Sequence, residues 1–469
     1  MNRRMVFYMI GQIIKLEAVL LVLPLAVSII YRERCALSFL ITALASLFVG
    51  FAVTLISKPG NRLIYAKEGF VIVALAWLAL SAIGAVPFVL SGEVRSYADA
   101  FFETVSGFTT TGASVLTDIE GMSHGLLFWR SFTHWVGGMG VLVFIMAIIP
   151  SVCDRSIHIL RAEMPGPVMG KLVPKLKQTA KILYLIYIVM TVLEMILLLS
   201  FATAGTGGFG IKGDSIASYS PYLQWVIAVF MFLFGINFNI YYLLLVRRFR
   251  SVLKSTETWC YIAICLISVS IITGNIYSIY GNLPDSVRAS AFQVASLVTT
   301  TGFSTADFNL WPGLSKGILL ILMFIGGCAG STAGGLKVSR VVMMIKMIRR
   351  EFMKMIHPRS VSAVRIEGKK VDDTTLNGVN VYFALYMVIY FAVFLLLCLE
   401  PFDFETNFTA VAACYNNIGP GFGAVGPMGS FSGYSAFSKI VLSATMLLGR
   451  LEIYPLLFAL IPSTWTKKG

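Results

Sequence analysis

The amino-acid sequence predicts an all-α membrane protein: two N-terminal transmembrane helices, then four units of helix, re-entrant loop and helix about one axis. Three observations predict it. The chain of 469 residues is 57% hydrophobic and 13% charged, with a mean hydropathy of +0.81, far from the balance of a soluble domain. It holds apolar runs of about 20 residues, the length that spans a bilayer. A Thr-Thr-Thr-Gly loop at 106–114 (SGFTTTGAS) recurs at 296–304 (SLVTTTGFS).

In chain order the apolar runs are 6–30, 36–56, 69–90, 126–149, 182–199, 223–246, 259–280, 317–344 (interrupted), 379–399 and 440–461. Lys and Arg gather in alternate connections: Arg3 and Arg4; Lys58, Arg62 and Lys67; residues 155–177; residues 247–254; residues 346–370; and Lys467 and Lys468. With ten spans these clusters share one side, so the positive-inside rule sets both termini in the cytoplasm. The formal net charge of +14 is then a topology signal, and nucleic acid is not an expected partner. The N-terminal Met-Asn-Arg-Arg enters an apolar run with no small-residue cleavage site, which predicts a retained helix.

Two further segments carry Gly where the loops carry theirs, Gly205-Thr206-Gly207-Gly208 and Asn416-Asn417-Ile418-Gly419. Gly112, Gly208, Gly302 and Gly419 follow one another at intervals of 96, 94 and 117 residues, the signature of a fourfold internal repeat. The units are 1–57 (N-terminal extension), 58–165, 166–257, 258–370 and 371–469. From the end of the first helix of a repeat to its Gly there are 22, 22 and 20 residues in repeats one, three and four. That gap fits a short descending helix, such as 97–108 with Ser96 as N-cap, whose C-terminal dipole end favours a cation. In the second repeat the gap is 9 residues, so most of that short helix is absent.

Non-helical backbone at membrane depth is tolerated only where it is buried in protein or lines a watery cavity. Four such loops predict a central pore. A filter replaces the water shell of an ion with backbone carbonyls; Gly permits the backbone angles and Thr hydroxyls support the carbonyls. The candidate ion-binding residues are Thr110, Thr111, Gly112, Thr206, Gly207, Gly208, Thr300, Thr301, Gly302, Asn417, Ile418 and Gly419.

Gly326, Gly327, Gly330, Gly334 and Gly335 interrupt the eighth run, with Ser331, Thr332 and Lys337 among them. Each Gly costs about 1 kcal/mol against Ala in a helix, so the stretch is expected to be a flexible intramembrane loop. Arg450 lies mid-way along the last run, too deep to reach water. It either faces the pore as an electrostatic barrier or pairs with Glu452 or a helix carbonyl. Glu103, where the third repeat has Gln293, is expected to hydrogen-bond behind the filter, and Arg130 to brace loops. Seven scattered cysteines with no CxxC read as free thiols. The four histidines lack metal spacing, and no paired carboxylates or nucleotide loop point to an enzyme.

FFETVSGFTTTGAS, FWRSFTHWVGGMG, GGCAGSTAGGLKVSR, NNIGPGFG and LLGRLEIYP together resemble the signatures of the Trk/Ktr/HKT superfamily of potassium transporters, over essentially the whole chain. The two extra N-terminal spans are more similar to the TrkH branch than to the eight-span KtrB branch. The resemblance implies K⁺ as the transported ion, with no covalently bound cofactor, passing the four filter glycines. It implies a gate at residues 326–335 with Arg450 beside it. It also implies a lipid-embedded homodimer in the bacterial inner membrane, regulated by a cytosolic nucleotide-binding subunit of the TrkA kind. Gly112 fits the residue that accompanies K⁺ in the plant relatives. The shortened second repeat departs from the family pattern and carries the expectation that Gly207 and Gly208 are poorly positioned, leaving a folded but impaired transporter.

Overall fold

The computed structural model describes residues 1–60, 64–138, 140, 176–198, 205–210, 212–359, 363–367 and 369–465. Those residues are helical but for loops and one two-residue hairpin, Arg365–Ile366 against Lys369–Lys370. Among the described residues five helices are long and apolar enough to cross a bilayer, six if a bent pair counts as one span.

The first span runs Arg3–Leu20 and Val22–Ile30. Its break at Leu21 has a local cause: Pro24 has no N–H to offer the Leu20 carbonyl. Cys35–Ile56 returns against it. On these helices the apolar side chains that point outward are widely exposed, Phe48 at 76% and Ile56 at 83%. Glu103, Arg130, Gln293 and Asn417 are buried. That inversion of the soluble pattern suits a lipid exterior and a polar interior.

Three short helices precede the loops: Tyr97–Phe108, Leu283–Val298 and Phe404–Tyr415. Tyr97–Phe108 has the bounds the spacing predicts, yet Ser96 at its N-cap makes no side-chain capping bond. Asn282 does cap its helix, accepting from Asp285 N. In the second repeat the helix Leu176–Leu198 is followed by Gly205 after six residues that lie outside the described set; the site of the expected helix loss falls there.

In repeats two, three and four the helices that follow the loops are broken, including two expected to be continuous. Pro221–Phe234 and Phe238–Leu245 meet at 88°. Asn237 turns the chain by accepting from Asn239 N. Gly313–Ile325 and Val338–Ile356 flank an irregular stretch, as the glycines predict. Ala436–Arg450 ends before Tyr454–Leu460, because Pro455 cannot donate to Leu451 and Glu452 and Ile453 take left-handed φ of 54° and 70°. Arg450 therefore closes a helix and does not sit in the middle of one. The first repeat's counterpart is His124–Gly138; residues 141–149 of the expected run lie outside the described residues.

Candidate functional site

Each loop starts where its short helix stops. Thr111 N, Thr301 N and Ile418 N donate back to Ser106 O, Ser296 O and Ala413 O, each at 2.8 Å, so each short helix fixes its own loop. Thr109 and Thr111 share a hydroxyl bond of 2.7 Å, and Thr299 and Thr301 repeat it at 2.7 Å.

The four loops then share one backbone. Thr110, Thr206, Thr300 and Asn417 have φ of 56°, 51°, 54° and 55°, and two residues later Gly112, Gly208, Gly302 and Gly419 have 81°, 73°, 85° and 101°. For a residue with a side chain the left-handed region costs about 1 to 3 kcal/mol. Four equivalent outliers in one place mark a conformation the surroundings enforce.

The loops close into a ring. A Cβ on Gly112 would collide with Gly207 O, one on Gly208 with Thr301 O, one on Gly302 with Ile418 O, and one on Gly419 would stand 2.7 Å from Thr111 O. The chain order one, two, three, four and back to one is thus the spatial order. The structure brings together every predicted loop residue: Thr110, Thr111, Thr206, Gly207, Thr300, Thr301, Asn417 and Ile418 are buried with the four glycines between them. The expectation of a misplaced second loop is corrected, since Gly207 O and Gly208 take the ring contacts of their counterparts and Thr206 and Gly208 hold the same left-handed φ.

Behind the first loop, Glu103 accepts from Ser114 Oγ at 3.0 Å, Val115 N at 3.1 Å and Arg130 Nε at 2.8 Å. Arg130 pairs with it at 2.7 Å, and both side chains are almost wholly buried. The pair cancels its own charge at the ring. Gln293 stands in the third repeat, with Nε2 3.5 Å from Ala306 O. In the fourth, Asn417 Nδ2 donates to Thr111 Oγ1 at 2.9 Å and Met446 O at 3.0 Å, tying the last loop to the first.

On one side of the ring lies the irregular stretch 326–337. Gly334 N donates to Thr300 Oγ1 at 2.6 Å, Cys328 N to Gly235 O at 3.0 Å, and Phe238 N to Gly330 O at 3.0 Å. Gly326, Gly330, Gly335 and Lys337 have φ of 72°, 73°, 77° and 76°. Buried Lys337 donates to Ala333 O. Arg450 Nη1 donates to Thr332 O at 3.0 Å and Thr110 Oγ1 at 3.3 Å, and Nη2 to Gly138 O at 2.7 Å and to Gly137 O. Of the two roles left open, Arg450 meets helix and loop carbonyls; Glu452 pairs with Arg340, at 2.5 Å.

Three residues escaped sequence reasoning. Glu257 accepts from Ala329 N at 2.6 Å and Ser339 N at 3.2 Å, holding both flanks of the stretch. Arg340 lies with its guanidinium 4.1 Å from the Tyr382 ring centroid. Asn237 makes the bend. A lone acid in the first turn of an apolar helix was the available signal for Glu257.

On the other side, past the glycines, a cavity of about 320 Å³ is lined by all four of them and by Ser114, Phe209 and Pro420. Among the described residues no three His, Cys, Asp or Glu side chains gather to hold a metal. The loops offer backbone and hydroxyl oxygens with no charged side chain of their own, a donor set for a weakly hydrated monovalent cation.

The family model described as cation transport protein, TrkH, matches residues 38–205 and 199–467. The two matched stretches meet where the second repeat is short. The chain is 34% identical to the Trk system potassium uptake protein TrkH of Salmonella typhimurium, over 99% of this chain and 100% of that protein. It is 31% identical to the Trk system potassium uptake protein TrkG of Escherichia coli, over 98% of each. The crystal structure of the potassium transporter TrkH from Vibrio parahaemolyticus superposes with a TM-score of 0.88 at 30% identity, over 99% of this chain and 100% of that one. A helical membrane protein whose four loops close one ring, the chain belongs to the TrkH family of cation transport proteins.

Proposed function

We propose that this protein moves K⁺ across the cytoplasmic membrane through the ring of Thr110–Gly112, Thr206–Gly208, Thr300–Gly302 and Asn417–Gly419 equivalents. The observation that carries the reading is the closed ring itself, with the same left-handed backbone at all eight positions. Potassium uptake in the names of the relatives supports the choice of ion. The stretch 326–337 is the gate, and Arg450 pins it by bonding Thr332 O to the ends of the neighbouring helix. The intact second loop supports conduction over a merely folded, silent chain.

Both termini face the cytoplasm of a bacterial inner membrane, and the chain works as a homodimer. Its basic face, which carries Arg349, Arg350, Lys354 and Arg365, receives a cytosolic nucleotide-binding subunit of the TrkA kind through charge.

The test is uptake of a K⁺ tracer into liposomes holding the purified chain, with Na⁺ as competitor and empty liposomes as control. Flux that excess K⁺ suppresses and Na⁺ does not is the expected result. Equal suppression by both ions overturns the choice of K⁺. Arg450→Ala is expected to raise flux in the absence of any partner; unaltered flux removes Arg450 from the gate.

A further inference from the structure

We infer that Phe209, clamped between Arg130 and His134, positions the second quarter of the ring in the repeat that has too few residues between Leu198 and Gly205 for a short helix of the others' length. The inference rests on the ion-path reading above.

Repeats one, three and four set their loops on helices of 12, 16 and 12 residues. Between Leu198 and Gly205 the second repeat has six residues, fewer than any of them. Its loop nevertheless holds φ of 51° at Thr206 and 73° at Gly208, so something outside the repeat's own helix enforces them.

The candidate is the residue next to Gly208. Phe209 is 4% exposed. Its ring stacks on the His134 imidazole, with centroids 4.1 Å apart and planes at 21°. The guanidinium carbon of Arg130 stands 4.1 Å from the same centroid. Two groups that close to one ring cannot share a face, so Phe209 is sandwiched. Arg130 and His134 are four residues apart on the His124–Gly138 helix, one turn of one face, which makes that helix a two-pronged clamp. Arg130 is itself fixed by Glu103, so the clamp is anchored to the short helix of the first repeat.

The same clamp supports the loop from below. A Cβ on Gly205 would collide with His134 O, and one on Gly207 with the His134 ring, so the backbone rests directly on His134. The other loops carry Ala113, Phe303 and Pro420 at the place of Phe209. Phe303 is held differently: its carbonyl accepts Ser296 Oγ of its own helix at 2.6 Å.

The experiment compares four variants of the full chain for K⁺ over Na⁺ preference, read both as liposome flux and as the shift in thermal unfolding that each ion gives the purified protein. Phe209→Leu keeps buried volume without an aromatic face, and His134→Ala removes one prong. Each is expected to lower K⁺ preference by about tenfold or more, the scale of a small misplacement at a tightly arranged site. Phe209→Tyr and His134→Phe keep the stack and are expected to keep the preference, an aromatic rescue that simple destabilisation would not produce. Should His134→Ala fail to give monodisperse protein, the Leu and Tyr variants of Phe209 decide alone. Wild-type preference in Phe209→Leu overturns the clamp and leaves the ion reading standing. A wild-type chain with no preference for K⁺ overturns the ion reading, and the clamp's role with it.

Discussion

The hydroxyl of Thr300 accepts the backbone N–H of Gly334 at 2.6 Å, joining the ring to the stretch beneath it by one buried hydrogen bond. The same Thr carries the left-handed φ of 54°. A shift in either partner is therefore felt by the other without any intervening residue.

Thr300→Val keeps the shape and removes the acceptor. Leaving a buried N–H unpaired costs about 1 to 3 kcal/mol, which weakens the seat of the proposed gate. Basal tracer flux is expected to rise about fivefold or more with no partner added. Flux equal to wild type would show that Gly334 is seated by its other neighbours.

Arg340 is bonded to Glu452 through Nη1 and Nη2, at 3.1 and 2.5 Å. Glu452→Gln leaves the buried guanidinium without its counter-charge. The loss is expected to be about 3 kcal/mol or somewhat less, because Glu452 is 22% exposed and water screens part of it. Thermal unfolding in detergent reads it, and the double variant with Arg340→Met should recover much of the loss.

What was legible in the sequence follows the range of the forces. The Tyr97–Phe108 helix and the Thr-Thr-Thr-Gly turn are local, so spacing found both. The break at Gly235-Ile236-Asn237 was hidden because residues 223–246 carry no charge and only Gln224, Asn237 and Asn239 as amides, and hydropathy does not register direction; Asn237 in that run was the signal. Arg450 read as mid-span because the run is counted by hydropathy, whereas Pro455 and the left-handed Glu452 and Ile453 end the helix there. The seat of Gly207 was misjudged because the short count within the repeat was visible, while the contact of Phe209 with His134 crosses 75 residues of chain.

Glu103 and Arg130 form the most deeply buried ion pair of the site, at 0% and 2% exposure. Glu103→Ala strands a buried cation and two further donors, Ser114 Oγ and Val115 N, an expected loss of about 3 to 5 kcal/mol. Glu103→Gln still accepts hydrogen bonds, and the third repeat already uses Gln293 at this place, so its loss is expected to be the smaller. Equal unfolding temperatures for the two variants would contradict the hydrogen-bonding share of Glu103 and leave its charge as the whole effect.

Glu33 sits in the turn between the first two spans, accepting from His124 N at 2.7 Å, Gly125 N at 2.9 Å and the His124 ring at 2.8 Å. Burial alone would raise its carboxyl, but the backbone bonds from Gly125 and His124 and the His124 ring together outweigh it and hold it below 4.5. A carboxyl lowered on folding binds protons less readily in the folded state, so its stabilisation is fully present above 4.5 and disappears as pH falls through the folded value. Glu33→Gln cannot carry that charge. Its unfolding temperature is therefore expected to lie below wild type at neutral pH and to converge on it as pH falls through the lowered folded value. Because His124–Gly138 carries Arg130 and His134, the acid end of this curve also reads the anchoring of the helix that supports the ring. A gap between the two proteins that stays constant across the titration would mean that Glu33 holds His124 by shape and not by charge.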